Sequence, residues 1–236
     1  MRGYLARGIV FLREKKFEQA HQDLNSFIES ASADPSLFLG YFYRGNVYFY
    51  TKDFENALED FTKTISLNPK DRQAHLNRGN CHKELKNFQK ALDDYSSAIS
   101  IDKTYINAYQ NRAEVYYQLN KKEESLQDLK TIISLDPQNV LSLYNQGMLF
   151  LESNNYQEAE NLFLRALQID KENPRVLFNL AAVYAKANSF EKSLKALKTL
   201  GKIKRSYLSY LRSTPYFDNI RQDRGYTEFL RENNLD

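Results

Sequence analysis

Small side chains recur every 34 residues along this chain of 236. Gly45, Gly79, Ala113, Gly147 and Ala181 mark the period, and Ala57, Ala91, Ser125, Ala159 and Ser193 each follow twelve residues later. Gly8 and Ala20 form an earlier copy of the pair, 37 residues before the next. A small-residue period of this length marks stacked helical hairpins rather than a closed globule, because each unit must bury its apolar face against its neighbours. Such arrays bind along a surface and rarely catalyse.

Numbering Arg72–Tyr105 from 1 to 34 shows how one unit works. Helix A spans about positions 2 to 14, with His75, Gly79 and His82 on one face. A polar break follows at Leu85–Phe88, and helix B carries Ala91, Tyr95, Ala98, Ile99 and Ile101. In other copies the unit ends on Asn68-Pro69 or Asp136-Pro137, a helix stop followed by proline. Positions 8 and 20 are expected to be small because helices A and B cross there, at the low end of the roughly 8–10 Å interaxial range. Position 11 takes a ring (Phe11, Tyr48, His82, Tyr116, Phe150, Tyr184), and position 24 a bulky residue (Leu24, Phe61, Tyr95, Leu129, Phe163, Leu197). Both sets are expected to fill the core between hairpins.

Period, small pair, ring sites and terminal proline together resemble the tetratricopeptide repeat family. The resemblance covers residues 1–207 in six copies, about 1–37, 38–71, 72–105, 106–139, 140–173 and 174–207. It implies an all-α, right-handed superhelical solenoid in which helix A of each hairpin lines the concave face. Copy one departs by three extra residues within Glu29–Pro35, and Lys103, Lys171 and Arg205 stand where proline is usual. Residues 208–236 read as a helical cap, since a final hairpin otherwise exposes its apolar face. Thr214-Pro215 predicts the start of a short helix, Gln222–Gly225 a turn, and Tyr226, Phe229 and Leu230 the apolar edge of a last helix.

The lone Cys81 excludes an internal disulfide. No apolar run approaches the roughly 18–20 residues of a membrane span. Arg7 and Gly8 interrupt any signal-peptide core, so a cytoplasmic chain is the expectation. The first helix begins almost at Met1 without a capping residue, which leaves room for a native chain extended at its N-terminus. Net charge is +3 but uneven: residues 186–236 hold 11 Lys and Arg against 6 Asp and Glu, and the preceding 185 hold 22 against 24.

The leading binding candidates are asparagines. Asn77, Asn111, Asn145 and Asn179 occupy position 6, and Asn46 and Asn80 position 9. Positions 2, 5, 6, 9, 12 and 13 lie away from the packing side, and the resemblance implies that they face the groove. A carboxamide both donates and accepts, so it can pair with a peptide group. Phe42, Phe49, Tyr50, Tyr117, Tyr144 and Phe178 share that side at positions 5, 12 and 13, where rings could receive partner side chains. Two readings stay open: a peptide-binding set, or asparagines common throughout the family with rings packed on a neighbour or the tail.

The family's carboxylate clamp, which grips acidic chaperone tails, falls on Phe42, Asn46, Asn77, Asn107 and Asn111, where all three basic sites are lost; such tails are therefore excluded as partners. Arg44, Arg78 and Arg112, at position 7, are expected to pair with carboxylates such as Glu59, Asp60, Asp93, Asp94 and Asp128. His75 and His82 read as packing residues and His21 as isolated, so no metal is expected. No nucleophile–base pair, phosphate loop or catalytic carboxylate pair appears, and neither enzyme activity nor a cofactor is expected. Lys192, Lys195, Lys198, Lys202, Lys204 and Arg205 could meet nucleic acid or an anionic surface, although lysines at this spacing more simply form a solvated helix face. The leading expectation is a non-catalytic scaffold or adaptor holding a peptide of unknown origin against the A helices. The rivals are nucleic-acid or anionic-surface binding through the basic helix, and a purely architectural subunit of a larger complex.

Overall fold

The computed structural model describes residues 2–31 and 33–235. Its elements are helical, and no strand occurs among the described residues. The helices come in pairs: α1 (Arg2–Arg13) with α2 (Phe17–Ser30), α3 (Leu37–Tyr50) with α4 (Phe54–Leu67), and α5 (Arg72–Glu84) with α6 (Phe88–Ile101). There follow α7 (Ile106–Gln118), α8 (Lys122–Leu135), α9 (Val140–Glu152) with α10 (Tyr156–Ile169), and α11 (Pro174–Lys186) with α12 (Phe190–Lys204). Two 3-10 helices, Arg205–Leu211 and Pro215–Ile220, lead to α13 (Arg224–Glu232). The chain forms two compact units, residues 1–125 and 126–236, divided inside α8. In the first unit α1 packs on α2, α3 on α4 and α5 on α6, and each pair packs on the next. In the second, α9 packs on α10 and α11 on α12, and the C-terminal elements cover α11 and α12.

Each hairpin turn has one backbone device. Lys15, Lys52, Lys86, Asn120, Asn154 and Asn188 sit at φ between 56° and 64°, with no glycine among them. The next N–H then returns to helix A, as from Lys16 to the Phe11 carbonyl and from Asn87 to the His82 carbonyl, both at 2.8 Å. This left-handed cap satisfies carbonyls that the helix end leaves open. Asn tolerates the conformation better than Lys. Helix B then begins on a capping residue in several copies: Asp53 accepts from the Asn56 N–H, and Asn155 from the Glu158 N–H.

The small residue at position 8 answers to position 24 as well as position 20. All six position-24 side chains are buried. A Cβ on Gly147 would lie 2.6 Å from Phe163 Cε1, and one on Gly79 would lie 2.7 Å from Tyr95 Cε1. The ring fills the space beside the glycine, so helix contact is set by this side chain rather than by bare backbone alone. Where position 8 is alanine, the +16 partner shrinks to leucine: Ala113 with Leu129, and Ala181 with Leu197. In those two copies position 20 is serine. Ser125 donates to the Ala113 carbonyl and Ser193 to the Ala181 carbonyl, both at 2.9 Å.

The position-7 arginines clamp helices A and B together, as the sequence led us to expect. Arg44 holds Asp60 through two nitrogens at 2.7 and 2.8 Å, and Arg78 holds Asp94 at 2.7 and 2.9 Å. Each also reaches the preceding B helix, Arg44 to Asn25 and Arg78 to Thr62. Arg7 grips Asp23 in the same way. Burial pushes the Asp94 carboxyl up, but His75 and Arg78 together outweigh it and hold the group below the usual carboxylate range. Asp60 is raised, because burial there exceeds the help from Arg44.

The C-terminal segment closes the second unit. Leu208, Leu211, Phe217, Ile220, Tyr226 and Phe229 are buried in one cluster with α11 and α12. Pro215 opens a 3-10 helix rather than an α-helix, and Asp223 caps α13 by accepting from the Tyr226 N–H at 2.9 Å. The expected turn at 222–225 is correspondingly shorter, since α13 starts at Arg224.

Candidate functional site

The A helices of the first unit frame an open pocket of about 570 Å³. Its lining combines rings (Phe17, Phe42, Phe49, Tyr50), carboxamides (Asn46, Gln73, Asn77, Asn80), Leu12 and two cations, Arg13 and Lys15. Helix periodicity explains the convergence: positions 2, 5, 6, 9, 12 and 13 of successive A helices face the same side. Tyr50 is 62% exposed yet stacked on Phe17, with centroids 6.0 Å apart and planes 20° from parallel. Phe49 meets Tyr50 edge-on at 6.0 Å. Phe42 packs edge-on against the core ring Phe61 at 6.1 Å, so the pocket's apolar floor is continuous with the core.

The carboxamides bond to one another across hairpins. Asn77 Nδ2 donates to Asn46 Oδ1 at 2.7 Å, and Asn111 Nδ2 to Asn80 Oδ1 at 2.8 Å. Asn80 Oδ1 also accepts from the buried Tyr95 hydroxyl at 2.8 Å. Gln73 Nε2 donates to Asn77 Oδ1 at 3.1 Å, and the Tyr105 hydroxyl donates to Gln73 Oε1. The position-6 asparagine of one hairpin is thus the donor to position 9 of the hairpin before it. Part of the amide capacity stitches the stack, and the rest faces the pocket.

Of the residues singled out from sequence, Phe42, Asn46, Phe49, Tyr50, Asn77 and Asn80 come together in this pocket. Asn111 adjoins it through Asn80. Tyr117 and Asn145 are exposed but outside it. Asn179 departs from the expectation of an open carboxamide. It is 7% exposed, and its Nδ2 serves both the Tyr144 hydroxyl and the Arg175 carbonyl at 3.0 Å. Phe178 is covered by the chain's own tail, meeting Tyr207, Tyr210 and Phe217 at 6.4, 6.4 and 5.5 Å. Tyr144, Phe178 and Asn179 keep only a shallow cleft of about 350 Å³ beside Tyr207 and Tyr210. Phe178 thus packs against the tail, while the Tyr144 ring lies 6.0 Å from the core ring Phe163.

Sequence reasoning missed Leu12, Arg13, Lys15, Phe17 and Gln73. Arg13 and Gln73 occupy positions 13 and 2, on the face already identified, so the wheel could have found them. Lys15 lies in the turn and Phe17 opens helix B; both belong to repeating positions, with Lys52 and Lys86 matching the first and Phe54, Phe88, Tyr156 and Phe190 the second, but neither lies on the A-helix face from which the site was read.

Other candidate chemistry is accounted for by packing. His21 Nε2 is hydrogen-bonded to the Tyr48 hydroxyl at 2.9 Å, and burial pushes the His82 imidazole pKa down. Burial also pushes the Cys81 thiol up to about 12, which leaves it a thiol rather than a nucleophilic thiolate near neutrality. Among the described residues no group of three His, Cys, Asp or Glu side chains is placed to hold a metal ion. Lys195, Lys198 and Lys202 are exposed, while Lys192 reaches Glu160 at 3.4 Å. No helix of the described residues is long and apolar enough to cross a membrane.

Profiles of the tetratricopeptide repeat match residues 38–71 and 73–105, 110–174, and 150–213. The chain belongs to the tetratricopeptide repeat family. No curated protein matches it significantly. Among solved structures, the C-terminal part of a repeat-containing protein from Cytophaga hutchinsonii superposes with a TM-score of 0.80 at 14% identity, covering 98% of this chain and 94% of that one. A repeat protein from Parabacteroides merdae gives 0.70 at 17% identity over 100% and 98%. YrrB, described as having an unusual peptide-binding site, gives 0.67 at 18% identity over 79% and 96%. At these identities the likeness is one of fold.

Proposed function

We propose that this protein is a non-catalytic interaction scaffold that holds an extended peptide segment of a partner protein against the A helices of residues 1–125. The observation that carries the reading is the pocket itself, where an exposed aromatic shelf adjoins carboxamides with unspent N–H groups. Rings supply affinity by burying a partner side chain, and amides fix backbone whose own groups must stay paired once water leaves. The peptide-binding description of YrrB agrees with this use of the fold. In the second unit Phe178 lies against the chain's own tail, and the cleft beside it is the smaller one of about 350 Å³.

The test is affinity capture from native lysate, peptide mapping of the captured partner, and titration of the mapped segment. Tyr50→Ala is expected to weaken binding about tenfold, the scale of an aromatic anchor, with unchanged helicity because the ring is mostly exposed. Unchanged affinity in the folded variant excludes this pocket as the binding site.

A further inference from the structure

Resting on the groove reading above, we infer that the peptide segment held in this pocket carries an acidic side chain, Asp or Glu, next to an aromatic or aliphatic one. The argument is one of hydrogen-bond polarity and charge. Every carboxamide oxygen in the lining already accepts from protein: Asn46 from Asn77, Asn77 from Gln73, Gln73 from Tyr105, and Asn80 from both Asn111 and Tyr95. Neither Asn46 Nδ2 nor Asn80 Nδ2 donates to any described residue. Each oxygen thus has at least one partner and Asn80 Oδ1 has two, whereas the Nδ2 groups of Asn46 and Asn80 keep their donors, so the balance of the lining favours donation to an acceptor.

The two cations at the rim point the same way. Arg13 ends α1, Lys15 forms the following turn, and neither is paired with a carboxylate among the described residues. Glu14 lies between them in sequence but is held by Lys16 at 2.7 Å and is absent from the lining. No Asp or Glu lines the pocket. Two unpaired cations and a set of N–H donors, uncompensated by any carboxylate, favour an acceptor-rich anionic occupant. The aromatic shelf of Phe17, Phe49 and Tyr50 beside them calls for an apolar neighbour to that charge. These cations come from the first hairpin, not from the clamp positions of copies two to four, so the arrangement differs from a grip on a terminal carboxylate. An internal acidic side chain is the source it fits.

The experiment is selection from a display library of random dodecapeptides, remade as amidated peptides and bound to the full chain. Acid at a fixed offset from a ring or aliphatic residue is expected to be enriched, with Glu→Gln in the peptide costing about tenfold, as for loss of a charged hydrogen bond. Arg13→Glu with Lys15→Glu is expected to turn the preference to Lys or Arg. Arg13→Gln with Lys15→Asn, which keeps a residue suited to the left-handed turn, is expected to abolish it. The inference is overturned if peptides sensitive to Tyr50→Ala show no acidic preference, or keep it in both variants. It is equally overturned if the acid acts only as a free C-terminal carboxylate, so that amidated peptides fail. If no enriched peptide responds to Tyr50→Ala, the groove reading itself falls and takes this inference with it.

Discussion

At the scale of residues, two pairings sixteen positions apart recur: a small residue with a bulky apolar or aromatic one in all six copies, and arginine with aspartate in the earlier ones. The first makes a sharp forecast. Gly147→Ala forces a Cβ to within 2.6 Å of Phe163 and is expected to cost about 1–3 kcal/mol in chemical denaturation, as overpacking does. Adding Phe163→Leu imitates the natural Ala181 and Leu197 pair and is expected to recover part of that loss; a double variant worse than the sum of the singles contradicts the pairing. The second bears on pH. The Asp94 carboxyl is held below its unfolded range, so its contribution is complete above the unfolded value near pH 4 and is lost as pH falls through the folded one. Asp94→Asn leaves the half-buried Arg78 without its anion and is expected to cost about 3 kcal/mol at pH 7, the scale of a broken buried pair. The gap to wild type begins to narrow below about pH 4, where the unfolded chain takes up a proton that the folded carboxylate still refuses, and closes further as pH falls toward the lower folded value. Urea midpoints measured from pH 3 to 7 check both the size and the direction. The sequence showed the small pair and the bulky position 24 plainly, but not that they touch, because contact across a hairpin depends on helix rotation that spacing alone leaves open.

At the scale of elements, the hairpin turns and the tail carry the structural decisions. A left-handed lysine costs backbone energy that glycine escapes, although glycine loses more entropy on folding. Lys86→Gly is therefore expected to raise stability by up to about 1 kcal/mol and Lys86→Val to lower it, read from thermal midpoints. The tail is a lid on the last hairpin. Phe217, fully buried against α11, is expected to cost about 3–5 kcal/mol when cut to alanine, with increased binding of a hydrophobic dye to the uncovered face. The need for a cap was legible, as were Tyr226 and Phe229. That the tail would settle on Phe178 was not, because the rings of Tyr207 and Tyr210 give no periodic signal of where a 3-10 segment folds back.

At the scale of the molecule, one face among the described A-helix surfaces keeps rings, amides and cations together in the open. About half of the proposed site was readable as one helix face: Phe42, Asn46, Phe49, Tyr50, Asn77 and Asn80 converge as the 34-residue period implies. Its polarity was not readable. Whether an asparagine offers oxygen or nitrogen depends on which neighbour it bonds, and only coordinates show Asn77 donating to Asn46 and Asn111 to Asn80. The measurement that tests the account most directly is a nuclear magnetic resonance titration following the side-chain amide signals of Asn46 and Asn80 as a selected acidic, amidated peptide is added. Both signals, with the backbone of Arg13 to Phe17, are expected to shift in proportion to occupancy. Shifts confined to α9–α13, with these two amides unmoved at saturation, contradict it.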